Sequence, residues 1–299
     1  MPLVTCAALV LALANPASAG AFTLGEDCGP KSFAGSSAAA IVVRTTFRQP
    51  VTVEAGKHRI AGLQIVEGGN LTWRGGVFVG PGGPPAPNSV GPAFYGVFLN
   101  QAQNVTLDGI ALTDARKGVV VKSSSGITLT RSRCYGKVED CMIVADSRTI
   151  RFLNNEASNI EVIRSRCNRG GAIRELVPRK ICMADGGKWT DGWHSDVLQL
   201  RDAVSDVVAS GNRIETAGQG LTQMDGKTDR PLANVRFENN VIASGRHGLT
   251  LTNCSGCRIT GNRLTSAVLG WRSIIRPGQA LACGNIVPDG GPGEGKCPG

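Results

Sequence analysis

Aromatic side chains are scarce in this chain: they make up 5% of its 299 residues, with two Tyr and four Trp. That excludes a core built on stacked rings, and it leaves few platforms on which nucleic-acid bases could stack. Histidine is scarcer still, at three residues, and there is a single CxxC, Cys254 to Cys257. Neither supports a structural zinc site. No long segment repeats apolar residues at helical spacing, which argues against a helical bundle. The one long apolar run, within residues 1–19, is too short to span a bilayer.

What is present is repetition. YGVFLNQAQNVTLDGIAL from Tyr95 can be laid over KGVVVKSSSGITLTRSRC from Lys117 and DCMIVADSRTIRFLNNEA from Asp140. It can also be laid over the segments that start at Ser195, Gln219 and His247. Each reads as a short strand, a polar turn, a second short strand and a turn bearing Asn or Gly. Taken at Gly96, Gly118, Cys141, Asp196, Gly220 and Gly248, the units start 22, 23, 55, 24 and 28 residues apart. A period in the low twenties with two strands per period predicts an all-β solenoid. Residues one period apart then become neighbours at ~4.8 Å, the spacing between paired strands.

Residues 1–19 end in Ala-Ser-Ala and read as a secretory signal peptide, which predicts a secreted or periplasmic protein. Residues 20–299 read as one domain. It has a cap over 20–40 with a short helix at 30–40, a Pro/Gly loop at 80–92, regular coils over about 41–270, and a loop-rich tail from Arg276. The second strands align at Leu71, Val105, Ile127, Ile150, Val207, Val235 and Cys257. Asn155, Asn212, Asn240 and Asn262 then share a turn position, where they stack as structural residues. The long gap after Cys141 holds one unit plus an excursion, about residues 156–193, with seven Lys or Arg (Arg164, Arg166, Arg169, Arg174, Arg179, Lys180 and Lys188). Long ordered insertions on rigid scaffolds tend to carry function. Cys167 with Cys182 and Cys283 with Cys297 are candidate disulfides. Cys254 and Cys257 are either a bridge or two buried thiols, and Cys28, Cys134 and Cys141 are unassigned.

With 32 Lys and Arg against 23 Asp and Glu, the chain carries a net charge of +9. Such a charge attracts polyanions. For an exported chain without a nucleic-acid motif, an acidic polysaccharide is the expected partner, and nucleic acid is not. The chain is expected to act as a monomer without a membrane span.

This pattern resembles the pectin-lyase-like right-handed parallel β-helix superfamily over about residues 41–270. The segment WHSDVLQL, Trp193 to Leu200, looks like the His-x-Asp-x-x-Gln strand of secreted members. EDCMIV, Glu139 to Val144, is similar to the Asp-Asp-Cys strand of polygalacturonases, and Arg246 to Gly248 is similar to their His-Gly strand. Here, however, His247 lies three recognised strands after the carboxylates rather than one. The resemblance implies a right-handed parallel β-helix and activity on a polysaccharide. It implies no firm cofactor. Calcium is the ion it admits, although no dense Asp cluster is evident.

Stacking the rows gathers one edge. Successive units place Arg116 and Lys117, then Glu139 and Asp140, then His194 and Asp196, then Gln219, then Arg246 and His247 before or at the first residue of each strand. Parity sets Val197 and Gln199 on the inward side with Leu221 and Gln223, so Gln199 and Gln223 are expected to form a buried structural ladder. His194 is the candidate general base, oriented by Asp196 or Asp140, or else a turn cap. Asp140 and Glu139 are either acid–base carboxylates or ion-pair partners of Arg116 and Lys117. Arg246 and His247 are candidates to hold a substrate carboxylate. Trp189 and Trp193 either stack on sugar rings or cover the base of the excursion. The expected function is a secreted lyase that cleaves a uronate polymer by β-elimination. Arg116, Lys117 or Arg246 neutralises the uronate, His194 takes the C5 proton, and His247 or Tyr135 protonates the leaving oxygen. The alternatives are C5 epimerisation, hydrolysis with Asp140 and Asp196 as the carboxylate pair, and a non-catalytic glycan-binding envelope protein.

Overall fold

The structure is a computed structural model. It describes residues 21–23, 41–79, 95–136, 138–160, 166–175, 179–190, 195–216, 218–223, 230–244, 247–265, 274–287 and 293–297. The expected signal peptide, the helix at 30–40, the 80–92 loop and Cys28 lie outside them. The described residues are all-β apart from one short helix, Arg179–Ala184, and are dominated by two long parallel sheets.

The nine-stranded sheet runs in chain order through Ile41–Val43, Leu63–Val66, Tyr95–Asn100, Lys117–Lys122, Asp140–Ala145, Asp196–Arg201, Gln219–Gln223, His247–Thr250 and Ile274–Arg276. Every pairing in it is parallel. The 17-stranded sheet holds the second strand of each repeat. Leu71, Val105, Ile127, Ile150, Val207 and Val235 are register partners in succession, and the pairing of Arg236 with Arg258 puts Cys257 next. The expected alignment of second strands is therefore observed.

The repeat also has a third short strand that the two-strand reading missed. It appears at Ala111–Thr113, Arg133–Tyr135, Glu156–Ile160, Arg213–Thr216 and Val241–Ser244. In Gly69–Val79 the second and third strands are still one continuous strand, bent where Gly75 and Gly76 take positive φ (72° and 88°). Glu156–Ile160 pairs within this sheet, so the excursion begins later than residue 156.

The core is made of columns rather than a central cluster. Alternation sends every second side chain inward. One column carries Trp73, Leu107, Leu129, Phe152, Ala209, Phe237 and Ile259, and another carries Phe78, Leu112, Cys134, Ala157, Ile214, Ile242 and Leu264. All of these are buried. Each fully buried Leu, Ile or Phe contributes about 1.5–3 kcal/mol relative to exposure.

The four Asn, continued by Asn285, form a ladder. Asn155 Nδ2 donates to Asn212 Oδ1 (3.1 Å), Asn212 to Asn240 (2.8 Å), Asn240 to Asn262 (2.8 Å), and Asn262 to Asn285 (2.9 Å). Each Nδ2 also donates to a main-chain carbonyl of a preceding strand, at Leu129, Phe152, Ala209 and Phe237 in turn. The left-handed turn residue is the one before each ladder Asn: Asn154, Gly211, Asn239 and Gly261. Left-handed tolerance therefore belongs to that neighbour, while the ladder Asn satisfies buried polar groups.

The excursion holds a small antiparallel sheet. Arg166–Arg169 pairs with Ala172–Glu175 and with Lys188–Thr190. Gly170 and Gly171 both have positive φ, as a two-residue hairpin turn requires. Cys167 and Cys182 tie the sheet to the helix, so the expected bridge is present, as is Cys283–Cys297. Cys254 and Cys257 are also paired. Among the described residues no helix is long and apolar enough to cross a membrane.

Candidate functional site

From Tyr95 onward, the first residues of the nine-stranded sheet's strands form one register column. Lys117 pairs with Asp140, and Asp196 pairs with Gln219. Met142 opposite Leu198 sets Asp140 beside Asp196, and Leu221 opposite Leu249 sets Gln219 beside His247. Asp196 is therefore the counterpart of Asp140, not of Cys141. A one-residue shift exchanges the two sides of a strand. Leu198 and Leu200 accordingly stand in the core columns with Met142 and Val144, while Gln199 pairs with Ile143 and Thr222. The expected Gln199–Gln223 ladder does not form. Gln223 instead accepts from the main-chain N–H groups of Thr252 (2.8 Å) and Asn253 (3.0 Å). Val197 is also in the core, so strict alternation fails at the start of this strand.

An ion-pair network occupies the first half of the column. Glu139 bridges two cations: its Oε2 accepts from Arg116 Nε (2.9 Å) and its Oε1 is 2.8 Å from Lys117 Nζ. Lys117 Nζ also donates to Asp140 Oδ2. The other oxygen of Asp140 accepts the main-chain N–H of Asp196 (2.8 Å). Asp196 Oδ2 in turn accepts from Gln199 Nε2 (2.6 Å). The ion-pair reading of Glu139 and Asp140 is thus the observed one. Two carboxylates face two cations, and Asp196 adds a third acid that shares none of those direct pairs.

That arrangement separates the two aspartates electrically. Both are almost fully buried, Asp140 at 2% and Asp196 at 1% exposure. Burial pushes both carboxyls up. For Asp140 the Lys117 ammonium and the Asp196 N–H oppose that rise. For Asp196 the Asp140 charge adds to burial, against the hydrogen bonds from Gln199 and Thr222, and the carboxyl is pushed up to about 8. Asp196 keeps its proton at neutral pH.

His247 is buried and begins its strand, two strands from Asp196. Gln219 lies between them, half-buried. Tyr135 is on a third strand in the other sheet, at 37% exposure, and does not join the column. The main chain of Trp189 is in the excursion's sheet, opposite Cys167. His194, Trp193 and Arg246 lie outside the described residues. Gln199 is the polar residue whose part the sequence reading missed. Its signal was the Asp-x-x-Gln spacing, which strict alternation would place on opposite faces.

Beneath the column, Cys134 and Cys141 are buried thiols, and burial with the neighbouring Cys141 holds Cys134 well above its ordinary value. Among the described residues no three His, Cys, Asp or Glu side chains converge as a metal site, so the calcium that the resemblance admits has no cradle there. A polar cavity of about 500 Å³ lies in the turns after these strands, lined by residues such as Gln101, Ser123, Asp146, Arg148 and Ser205. It includes neither Asp140 nor Asp196. No protein-family model matches this chain, and no curated protein matches it.

Proposed function

We propose that this chain is an exported right-handed parallel β-helix of the pectin-lyase-like type, and that it hydrolyses glycosidic bonds in an acidic polysaccharide. The observation that carries the reading is the Asp140–Asp196 pair: two carboxyls on adjacent strands at one register position, one paired with the Lys117 ammonium and the other pushed up to about 8. Glycoside hydrolysis uses such a pair. Asp196 gives its proton to the glycosidic oxygen as that bond breaks. Asp140, ionised, stabilises the positive charge that develops on the sugar. Neighbouring strands are ~4.8 Å apart at the main chain, which lets the two carboxyls flank one glycosidic bond. Asp140 acts either as the nucleophile or as the base that activates water, with Asp196 the proton donor in both.

The acidic substrate follows from the net charge of +9, and secretion or a periplasmic location from the N-terminal segment and the three cysteine pairs. Hydrolysis is better supported than the β-elimination expected from sequence. Elimination needs a cation for the uronate carboxylate, and of the three expected for that role the two among the described residues, Arg116 and Lys117, are engaged by Glu139 and Asp140.

The test is to incubate the purified protein with polygalacturonate, alginate and hyaluronan. New reducing ends and the ultraviolet absorbance of unsaturated uronate ends are then followed. The expected result is reducing ends without that absorbance, lowered about 10²–10⁴-fold in Asp196→Asn, the usual contribution of general acid–base catalysis. Unsaturated ends would replace hydrolysis by elimination. Cleavage untouched by Asp196→Asn would remove Asp196 from the chemistry. Cleavage of none of the polymers would favour the glycan-binding protein.

A further inference from the structure

The two positions that hold Asp196 and Gln199 carry a different pair at the start of the nine-stranded sheet's register column. The register runs from Tyr95 through Lys117 and Asp140 to Asp196, and from Phe98 through Val120 and Ile143 to Gln199. Tyr95 and Phe98 are therefore the counterparts of Asp196 and Gln199, three strands earlier. The same break in alternation turns them to the same side. A side chain at Gly96 would meet Leu112 and Phe78 (3.3 and 3.5 Å), so Gly96 and Val97 both face the core. Two inward positions in succession leave Tyr95 and Phe98 outward on either side of them, with ring centroids 5.9 Å apart. Aromatics are few here and the core takes Trp73, Phe78, Phe152 and Phe237, yet these two rings keep part of their surface in solvent. From Phe98 the outward row continues as Val120 and Ile143, whose neighbours along the strand are core residues. An apolar floor thus leads from the ring pair to Gln199 and the two carboxyls. Apolar surface with a few placed polar groups is the composition of a small-molecule site.

We propose that Tyr95, with Phe98, is a stacking subsite for a sugar ring of the polysaccharide, and that the substrate chain lies across the strands, from the ring pair over Val120 and Ile143 to Asp140 and Asp196. The hydroxyls of a pyranose lie round its rim, and its faces are C–H. Such a face packs on an aromatic ring, whose negative π surface attracts the polarised C–H groups. The polar column of Lys117, Asp140 and Asp196 then meets one edge of the chain, and the apolar row meets its faces. Tyr95 is two strand spacings from Asp140, roughly 10 Å, so it holds a sugar beyond those that flank the broken bond. The subsite recognises the ring and not its charge, and it positions the chain rather than taking part in the chemistry. It rests on the polysaccharide reading above but not on which carboxyl gives the proton.

The experiment titrates two probes into the intact protein at low temperature, an oligogalacturonate and the same oligomer with its carboxyls reduced to alcohols. Affinity is read by calorimetry and the sugar C–H resonances by proton NMR. An aromatic face shifts protons stacked on it upfield, a signature that a merely structural ring does not give. Both probes are expected to show upfield shifts. Tyr95→Leu keeps apolar bulk but loses the ring, so it abolishes the shifts and lowers the affinity for both probes by about tenfold, equivalent to ~1.4 kcal/mol. Tyr95→Phe keeps the shifts and the affinity. Phe98→Leu gives a second reading should Tyr95→Leu fail to fold, with the shifts and the affinity again reduced. Binding without upfield shifts, or affinity indifferent to both Leu substitutions, overturns the subsite. No binding of either probe overturns the subsite and the polysaccharide reading together. Asp196→Asn separates the subsite from the catalytic assignment. Shifts retained with cleavage lost support both, shifts retained with cleavage unchanged condemn only the catalytic assignment, and cleavage lost in a protein that binds without shifts condemns only the subsite.

Discussion

Replacing Asp196 by Asn should make the protein more stable at neutral pH, although it removes a candidate catalytic group. In the unfolded chain an aspartate titrates near 3.8, whereas in the folded chain Asp196 is pushed up to about 8. The folded state therefore binds more protons than the unfolded state between those values. Stability linked to this group is fully present below the unfolded value and is lost as pH rises toward the folded one. From the unfolded value to pH 7 is about three pH units, at ~1.4 kcal/mol per unit, so holding the proton costs the native state about 4 kcal/mol at neutrality. Asn is neutral at every pH, so it carries no such cost, and its amide occupies nearly the same volume. Urea unfolding of both proteins from pH 4 to pH 7 is the assay. The two should have similar stabilities near pH 4 and diverge with rising pH, until the variant leads by about 4 kcal/mol. Curves that stay parallel would show that Asp196 is ionised in the folded protein, and the proton-donor argument would fail.

Other outcomes follow from the same network. Lys117→Met strips the ammonium from buried Asp140, and breaking a buried pair from one side costs about 3–5 kcal/mol. The loss should shrink at low pH, where Asp140 takes up a proton, as chemical denaturation at pH 4 and pH 7 would reveal. Asn240→Ala opens the ladder at a fully buried position. It removes the side-chain partner of Asn212 and Ala209, while Asn262 keeps the main-chain N–H of residue 240, and at about 1–3 kcal/mol per stranded group the melting temperature should drop sharply. An exposed turn change such as Ser123→Ala should leave it within experimental scatter. Hydrolytic rate at saturating substrate should fall as pH rises through about 8, because the acid must be protonated to act.

Much of the architecture was readable before any coordinates. The alignment of Leu71, Val105, Ile127, Ile150, Val207, Val235 and Cys257 holds because an inward column must stay apolar whatever the turns between do. The Asn positions were readable for a related reason: a buried turn needs both a donor and an acceptor at the same place in each repeat. The third strand was not legible. At three to five residues it carries one buried apolar side chain, Cys134 or Ile214 for example, too few for alternation to show. Asp196 was misaligned by one residue because Gly96, Gly118, Gly220 and Gly248 mark the second position of their strands, while Val197 fills that position here. The same irregular start hid Gln199. Its bond to Asp196 depends on a local break in alternation that no spacing rule encodes.

The central claim is that Asp196, side by side with Asp140, keeps its proton at neutral pH. Carboxyl carbon NMR on ¹³C-aspartate-labelled protein, with Asp196 assigned from the Asp196→Asn spectrum, measures this directly. The account predicts that the Asp196 resonance moves only as pH passes about 8. Movement in the ordinary aspartate range, with the carboxyl already ionised at neutral pH, would contradict it.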